Sequence, residues 1–110
     1  MADCVFCKIV KGDVPTEILS ETEFVIAFPD IKPATDTHIL IVPKKHIETV
    51  MDIKAIDNEL LGEMIGVVQK LIKKKDLVGK YRLILNGGSL QIVPHLHLHL
   101  LGGNNIKQEI

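Results

Sequence analysis

The run His95-Leu96-His97-Leu98-His99-Leu100-Leu101 constrains this chain more than any other stretch. Histidine and leucine alternate, and a β-strand turns alternation into two faces. His95, His97 and His99 fall on one face, and Leu96, Leu98 and Leu100 on the other. On a helix the same residues would scatter, because neighbours there lie three and four apart. The leucine face is suited to burial. The histidine face needs another reason, since each imidazole has two nitrogens to satisfy and can charge as the pH falls. A lone histidine is usually a satisfied polar residue. A row of three is costly as plain structure, so the strand reads as an apolar floor carrying chemistry above it.

The rest of the chain is read around this strand. Its 110 residues fit one domain, 1–110, with no room for a second core. Hydrophobic residues make up 46%, which excludes disorder by composition. A net charge of −1 gives no broad surface for nucleic acid. Met1-Ala2-Asp3-Cys4 has no leader-like character, and no apolar run reaches membrane-spanning length, so the expected location is cytoplasmic and off the membrane.

Lys8 to Gly12 predicts a helical turn stopped by glycine. Glu17–Ser20 and Phe24–Phe28 predict a hairpin around Glu21-Thr22-Glu23. Pro29-Asp30-Ile31-Lys32-Pro33 is a loop stiffened by two prolines, which could hold Asp30 in place. His38–Pro43 is nearly all apolar and β-branched, as expected of a central strand. Asp57 to Lys75 predicts the long helix, with Asp57 as N-cap and Gly79 as the C-terminal stop. Leu60, Leu61, Met64, Val67, Val68, Leu71 and Ile72 form its apolar stripe. Gly62 and Gly66 each cost roughly 1 kcal/mol relative to alanine, which the close approach of another backbone would explain. Lys73-Lys74-Lys75 suits the negative end of the helix dipole. Tyr81–Asn86 is a further strand, and Gly87-Gly88-Ser89 turns toward the histidines. Strands around one helix predict an α+β domain with an antiparallel sheet.

Cys4 and Cys7 are the two cysteines, spaced Cys-Val-Phe-Cys. In a reducing compartment this spacing points to metal or redox chemistry rather than a structural disulfide. The redox reading wants a βαβ surround, which does not follow; a plain alternative is two small buried hydrophobes.

These residues resemble the histidine-triad (HIT) family, whose motif is His-Φ-His-Φ-His-Φ-Φ with Φ apolar. Cys4–Ile9, Phe28–Pro33, His38–His46 and Leu101-Gly102-Gly103 resemble its Hint-like branch. The resemblance implies a five-stranded antiparallel sheet with helices on one face, a long helix and a short N-terminal one. It implies a homodimer whose sheets join, for which Tyr81–Asn86 is a candidate edge. It also implies a purine nucleotide ligand, such as AMP or an adenylate derivative, and hydrolysis or nucleotidyl transfer at the α-phosphate through a covalent histidine–nucleotide intermediate. Carried over, His97 is the nucleophile, and His99 and His38 contact the phosphate and order the site. Asp30 takes the ribose; Val5, Phe6, Phe28, Ile31 and Leu40 form the base pocket; Asn86, Gln91 and Val93 lie on the phosphate side. Some bacterial members add His46 and His95 to Cys4 and Cys7, a Cys₂His₂ set suited to structural zinc. Catalysis itself requires no metal. Cationic imidazoles would stabilise phosphoryl charge.

Between Asn86 and His95 the chain is two residues shorter than the Hint pattern, and Ile92 stands where the family has a serine that protonates amine leaving groups. Phosphoramidase activity is therefore in doubt. Adenylates with acidic leaving groups should be preferred, and Ile92→Ser should narrow the gap. The alternative from another class is a nucleotide-binding or scaffold module without significant turnover. A catalytic zinc on the triad ranks last, because His95 and His99 lie about 13 Å apart at ~3.3 Å per residue.

Overall fold

The computed structural model describes residues 4–106. Two helices, α1 (Val5–Lys11) and α2 (Asn58–Lys74), accompany five strands: β1 (Ser20–Glu21), β2 (Val25–Pro29), β3 (Thr37–Pro43), β4 (Arg82–Leu85) and β5 (Leu98–Gly102). The strands form one sheet in the order β1-β2-β3-β5-β4, antiparallel throughout. This is the expected α+β class. β3 is central, as its continuous apolar run predicts.

Pleating sorts the core into two layers. Val25, Ala27, Ile39, Ile41, Leu98 and Leu100 point to α2 and pack against its stripe, Met64, Val67, Val68, Leu71 and Ile72, with Leu60 and Leu61 at the margin. Ile26, Phe28, Leu40 and Val42 point the other way and pack with Cys4 and Phe6. The two helices therefore cover opposite faces, which corrects the expectation of helices on one face. The cause is β3, which is apolar at both odd and even positions and so needs a cover on each side.

Boundaries moved for local reasons. Gly12 ends α1 with φ of 82°, a left-handed cap that glycine adopts at little cost. Helix α2 stops at Lys74, short of Gly79, because Asp76 takes the left-handed position with φ of 58°. The segment Glu17–Ser20 yields only the two-residue β1. Asp57 sits at the N-cap position of α2, but its side chain does not cap the helix. It turns back to accept from the Lys54 amide at 2.9 Å and from Lys45 Nζ at 2.7 Å.

The histidine strand starts later than alternation predicts. Pro94 has no amide hydrogen. The His95 amide closes a turn on the Val93 carbonyl, and the Leu96 amide donates to Ile47 outside the sheet. The ladder opens at Leu98, opposite Ile41 and Leu85. His95 and His97 thus precede β5, and both are buried rather than displayed on an open face. Among the described residues no helix is long and apolar enough to cross a membrane.

Candidate active site and metal centre

Three of the five histidines are held by backbone groups that accept only or donate only, and this assigns their protons and, through His38, that of His99. His97 is 5% exposed, and its Nδ1 lies 2.7 Å from the His95 carbonyl oxygen. A carbonyl can only accept, so Nδ1 carries a proton, and in the neutral ring the Nε2 lone pair is free. His95 is fully buried, with Nε2 2.8 Å from the Pro43 carbonyl, so its Nδ1 holds the lone pair. His38 accepts the Ala34 amide on Nδ1 at 3.0 Å. Burial, only partly opposed by Asp30, lowers its pKa below the usual imidazole value, so the ring is neutral and Nε2 carries its proton. That proton faces His99 Nδ1 at 2.8 Å, with Asp30 Oδ2 at 3.5 Å. The His99 pKa is lowered to about 4, first by burial and then by His97 and His38. A neutral His99 that accepts on Nδ1 presents Nε2–H. The expectation of cationic imidazoles is thereby corrected. In this site His38 and His99 are neutral, and what they offer is oriented N–H groups.

The strands explain the grouping. Leu40 pairs with His99 and His38 with Leu101, so His38, Leu40 and His99 share one face. Phe6 of α1 covers it, with edge-on ring contacts to Phe28 at 5.5 Å, His95 at 5.7 Å and His97 at 5.1 Å. Asp30 is fixed by its own loop: its carboxylate accepts the Lys32 amide at 2.8 Å, and its amide donates to the His38 carbonyl at 2.9 Å.

Other expected site residues lie as follows. Phe6, Phe28 and Leu40 are buried together. Val5 is exposed, and Ile31 is 90% exposed beside Asp30. Val93 packs partly buried at the edge of the same cluster, and Asn86 follows β4 half-buried. Gln91, expected on the phosphate side, is tied to the backbone. Its amide group donates to the Glu48 and Val93 carbonyls at 2.9 and 3.2 Å, leaving a buried, unpartnered Oε1. Ile92 is 94% exposed, so a hydroxyl at this position would also meet water.

A second cluster lies against the first. The ligand atoms of Cys4, Cys7, His46 and His95 all fall within 4.8 Å of one another. His95 Nδ1 is 3.2 Å from Cys4 Sγ and 3.6 Å from Cys7 Sγ, and His46 Nδ1 is 3.2 Å from Cys7 Sγ. Tetrahedral zinc, with Zn–S of about 2.3 Å and Zn–N of about 2.0–2.1 Å, separates sulfur from nitrogen by ~3.5 Å. The donor set fits. His95 is prepared further, because the Pro43 carbonyl on its far nitrogen is the orienting partner a metal-bound histidine takes. Burial and Cys4 raise the Cys7 pKa, so without an ion the thiol stays neutral. The Asp57 carboxyl pKa is lowered, chiefly by its bond from Lys45, and the pair ties down the loop that carries His46.

Sequence reasoning missed the backbone groups that set each tautomer: the Ala34 amide and the Pro43 and His95 carbonyls. Residue type carries no signal for them, because every residue has such groups.

A family model described as "Scavenger mRNA decapping enzyme C-term binding" matches residues 3–108. The purine nucleoside phosphoramidase of Escherichia coli strain K12 is 42% identical over 106 residues, 92% of this chain and 87% of that protein. A HIT family hydrolase from Legionella pneumophila Philadelphia 1 superposes with a TM-score of 0.92 at 42% identity, covering 96% of this chain and 97% of the other. A HIT family hydrolase from Clostridium thermocellum gives 0.94 at 41% identity, covering 100% and 98%. The likeness extends over nearly the whole chain in both sequence and fold, and the chain belongs to the histidine-triad (HIT) superfamily.

Proposed function

We propose that this protein is a hydrolase of purine nucleoside monophosphate derivatives that works through a covalent intermediate on His97. The observation that carries the proposal is the His97 tautomer. With Nδ1–H held by the His95 carbonyl, the neutral ring presents its Nε2 lone pair as a fixed nucleophile. Its lone pair attacks the α-phosphorus as the bond to the leaving group breaks. Water then attacks the same phosphorus, the P–N bond returns its electrons to Nε2, and the nucleotide is released. His99 Nε2–H donates to a phosphoryl oxygen. His38 and the Ala34 amide hold His99 in that state. Phe6, Phe28 and Leu40 would take the base and Asp30 the ribose. The family resemblance and the phosphoramidase relative support this substrate class.

Cys4, Cys7, His46 and His95 would hold a structural zinc, and that ion when bound supplies a cross-link between α1 and the sheet. Two copies would pair along β4. Asp30 with His38 and His99 also meets the distance requirement for a metal, but the direct His38–His99 hydrogen bond already satisfies the facing nitrogens.

The test is kcat/KM for adenosine phosphoramidate and an acyl adenylate, with wild type, His97→Ala and Ile92→Ser. His97→Ala should lose all turnover and keep AMP binding. Wild type should favour the acyl adenylate, because a carboxylate leaves without a proton and a positioned acid is worth 10²–10⁴-fold to an amine. Ile92 is 94% exposed, which corrects the expectation that Ile92→Ser narrows the gap: the substitution should leave the preference unchanged. Turnover by His97→Ala would rule out the nucleophile. AMP binding by a wild type that turns over neither substrate would favour the scaffold alternative.

A further inference from the structure

We infer that Cys4, Cys7, His46 and His95, when they hold a metal, act as a clamp that positions His97; this deepens the reading of His97 as nucleophile and of the four as ligands. Two connections converge on His97 from that cluster. The first is covalent. His95 offers its ring Nδ1 to the sulfurs and, from the same residue, its carbonyl to His97 Nδ1–H at 2.7 Å. Fixing the ring fixes the carbonyl that selects the His97 tautomer. The second runs through packing. Cys4 is the N-cap of α1, accepting the Cys7 amide on its sulfur, and Phe6 lies between the two cysteines. The Phe6 ring contacts both His95 and His97. Helix α1 has seven residues, too few to be stable alone in water, so its place depends on what ties it to the sheet.

His46 closes the arrangement from a third side. Its ring packs edge-on to His95 at 4.7 Å, and its loop is fixed by the Lys45–Asp57 pair. The four ligands therefore come from α1, the loop after β3 and the turn before β5, and His97 lies two residues beyond the last of them. His95 is a positioning residue and makes no contact with substrate in this scheme. Its role differs from that of a remote structural metal because its backbone is a hydrogen-bond partner of the nucleophile.

The experiment compares zinc-loaded and chelator-stripped protein, with zinc quantified in both. The first readout is solvent exchange of the His97 Nδ1–H proton by NMR, alongside amide exchange in α2 and β5 as a control for the fold. The second is the single-turnover rate of histidine–nucleotide formation from an acyl adenylate. Loaded protein should show a protected Nδ1–H. Stripped protein should lose that protection, keep the α2 and β5 amides protected, and form the intermediate roughly 10- to 100-fold more slowly, as displaced reacting groups do. Restoring zinc should restore both. Cys7→Ser, which weakens the ligand set without a chelator, should move the same readouts in the same direction. Unchanged Nδ1–H protection and rate in both stripped protein and Cys7→Ser would overturn the clamp while leaving the zinc site and the nucleophile standing. Less than half an equivalent of zinc in protein saturated and then dialysed would remove the metal reading, and the clamp with it. Loss of the intermediate in fully loaded protein would instead remove the nucleophile.

Discussion

His99 sets how this protein responds to acid. Its pKa is about 4 in the folded chain, against 6.5 for a free imidazole, because it is buried and faces His97 and His38. The unfolded chain therefore takes up a proton between about pH 6.5 and 4 that the folded chain refuses. Stability falls as pH drops through that window, by up to about 3 kcal/mol from this one group, and levels off below it. His38 and His95 are lowered too and act in the same direction. Asp57 acts in a different range. Its carboxyl is lowered below 3.8 by Lys45, so its stabilisation persists until the pH falls beneath the ordinary carboxylate value. Urea midpoints measured across this range should drop between pH 7 and about 4.5, and His99→Gln should flatten the decline. A wild-type midpoint constant over that range would contradict neutral buried histidines.

Helix α2 carries two residues that its own chain does not explain. A Cβ at Gly62 or at Gly66 would meet nothing within 4 Å, so among the described residues no other backbone approaches either side-chain position. Alanine is better than glycine in a helix interior by roughly 1 kcal/mol. Gly62→Ala with Gly66→Ala should therefore raise the stability of the isolated chain by about 1–2 kcal/mol in urea unfolding at dilute concentration. The same pair should weaken self-association if the face is an interface. No gain at dilution would mean that glycine answers a demand within the chain. Gly102 offers a contrast, because a Cβ there would lie 2.4 Å from the Leu77 side chain.

At the scale of the molecule, β4 is the last strand of the sheet among the described residues. Leu83 and Leu85 point to the α2 side, opposite Leu100 and Leu98, yet both are exposed, and so are Tyr81 and Ile65. An apolar edge of this kind is a template for another strand. The proposed dimer brings two β4 edges together. Sedimentation at micromolar concentration should give twice the 12.2 kDa chain mass. Leu85→Lys should shift it to the single chain, because a charge desolvated at an apolar interface has no partner. A single 12.2 kDa species from wild type would refute the pairing.

Periodicity by itself determined the α+β class, the apolar stripe of α2, the central place of β3 and the presence of an unusual histidine row, because each of these follows from residue type at fixed spacing. Motif spacing also singled out Cys4 and Cys7, and resemblance joined them to His46 and His95, which the fold brings together from three separate segments. Tertiary structure decided the rest. The alternation His-Leu-His separates a histidine face from a leucine face, but it carries no sign that α1 folds onto the former and buries His95 and His97 beneath Phe6. It suggested a strand from His95, but the amides of His95 and Leu96 bond outside the sheet. The proton positions assigned to His97 and His99 depend on the Ala34 amide and the His95 carbonyl. Every residue has those groups, so only their placement in three dimensions distinguishes the ones that act.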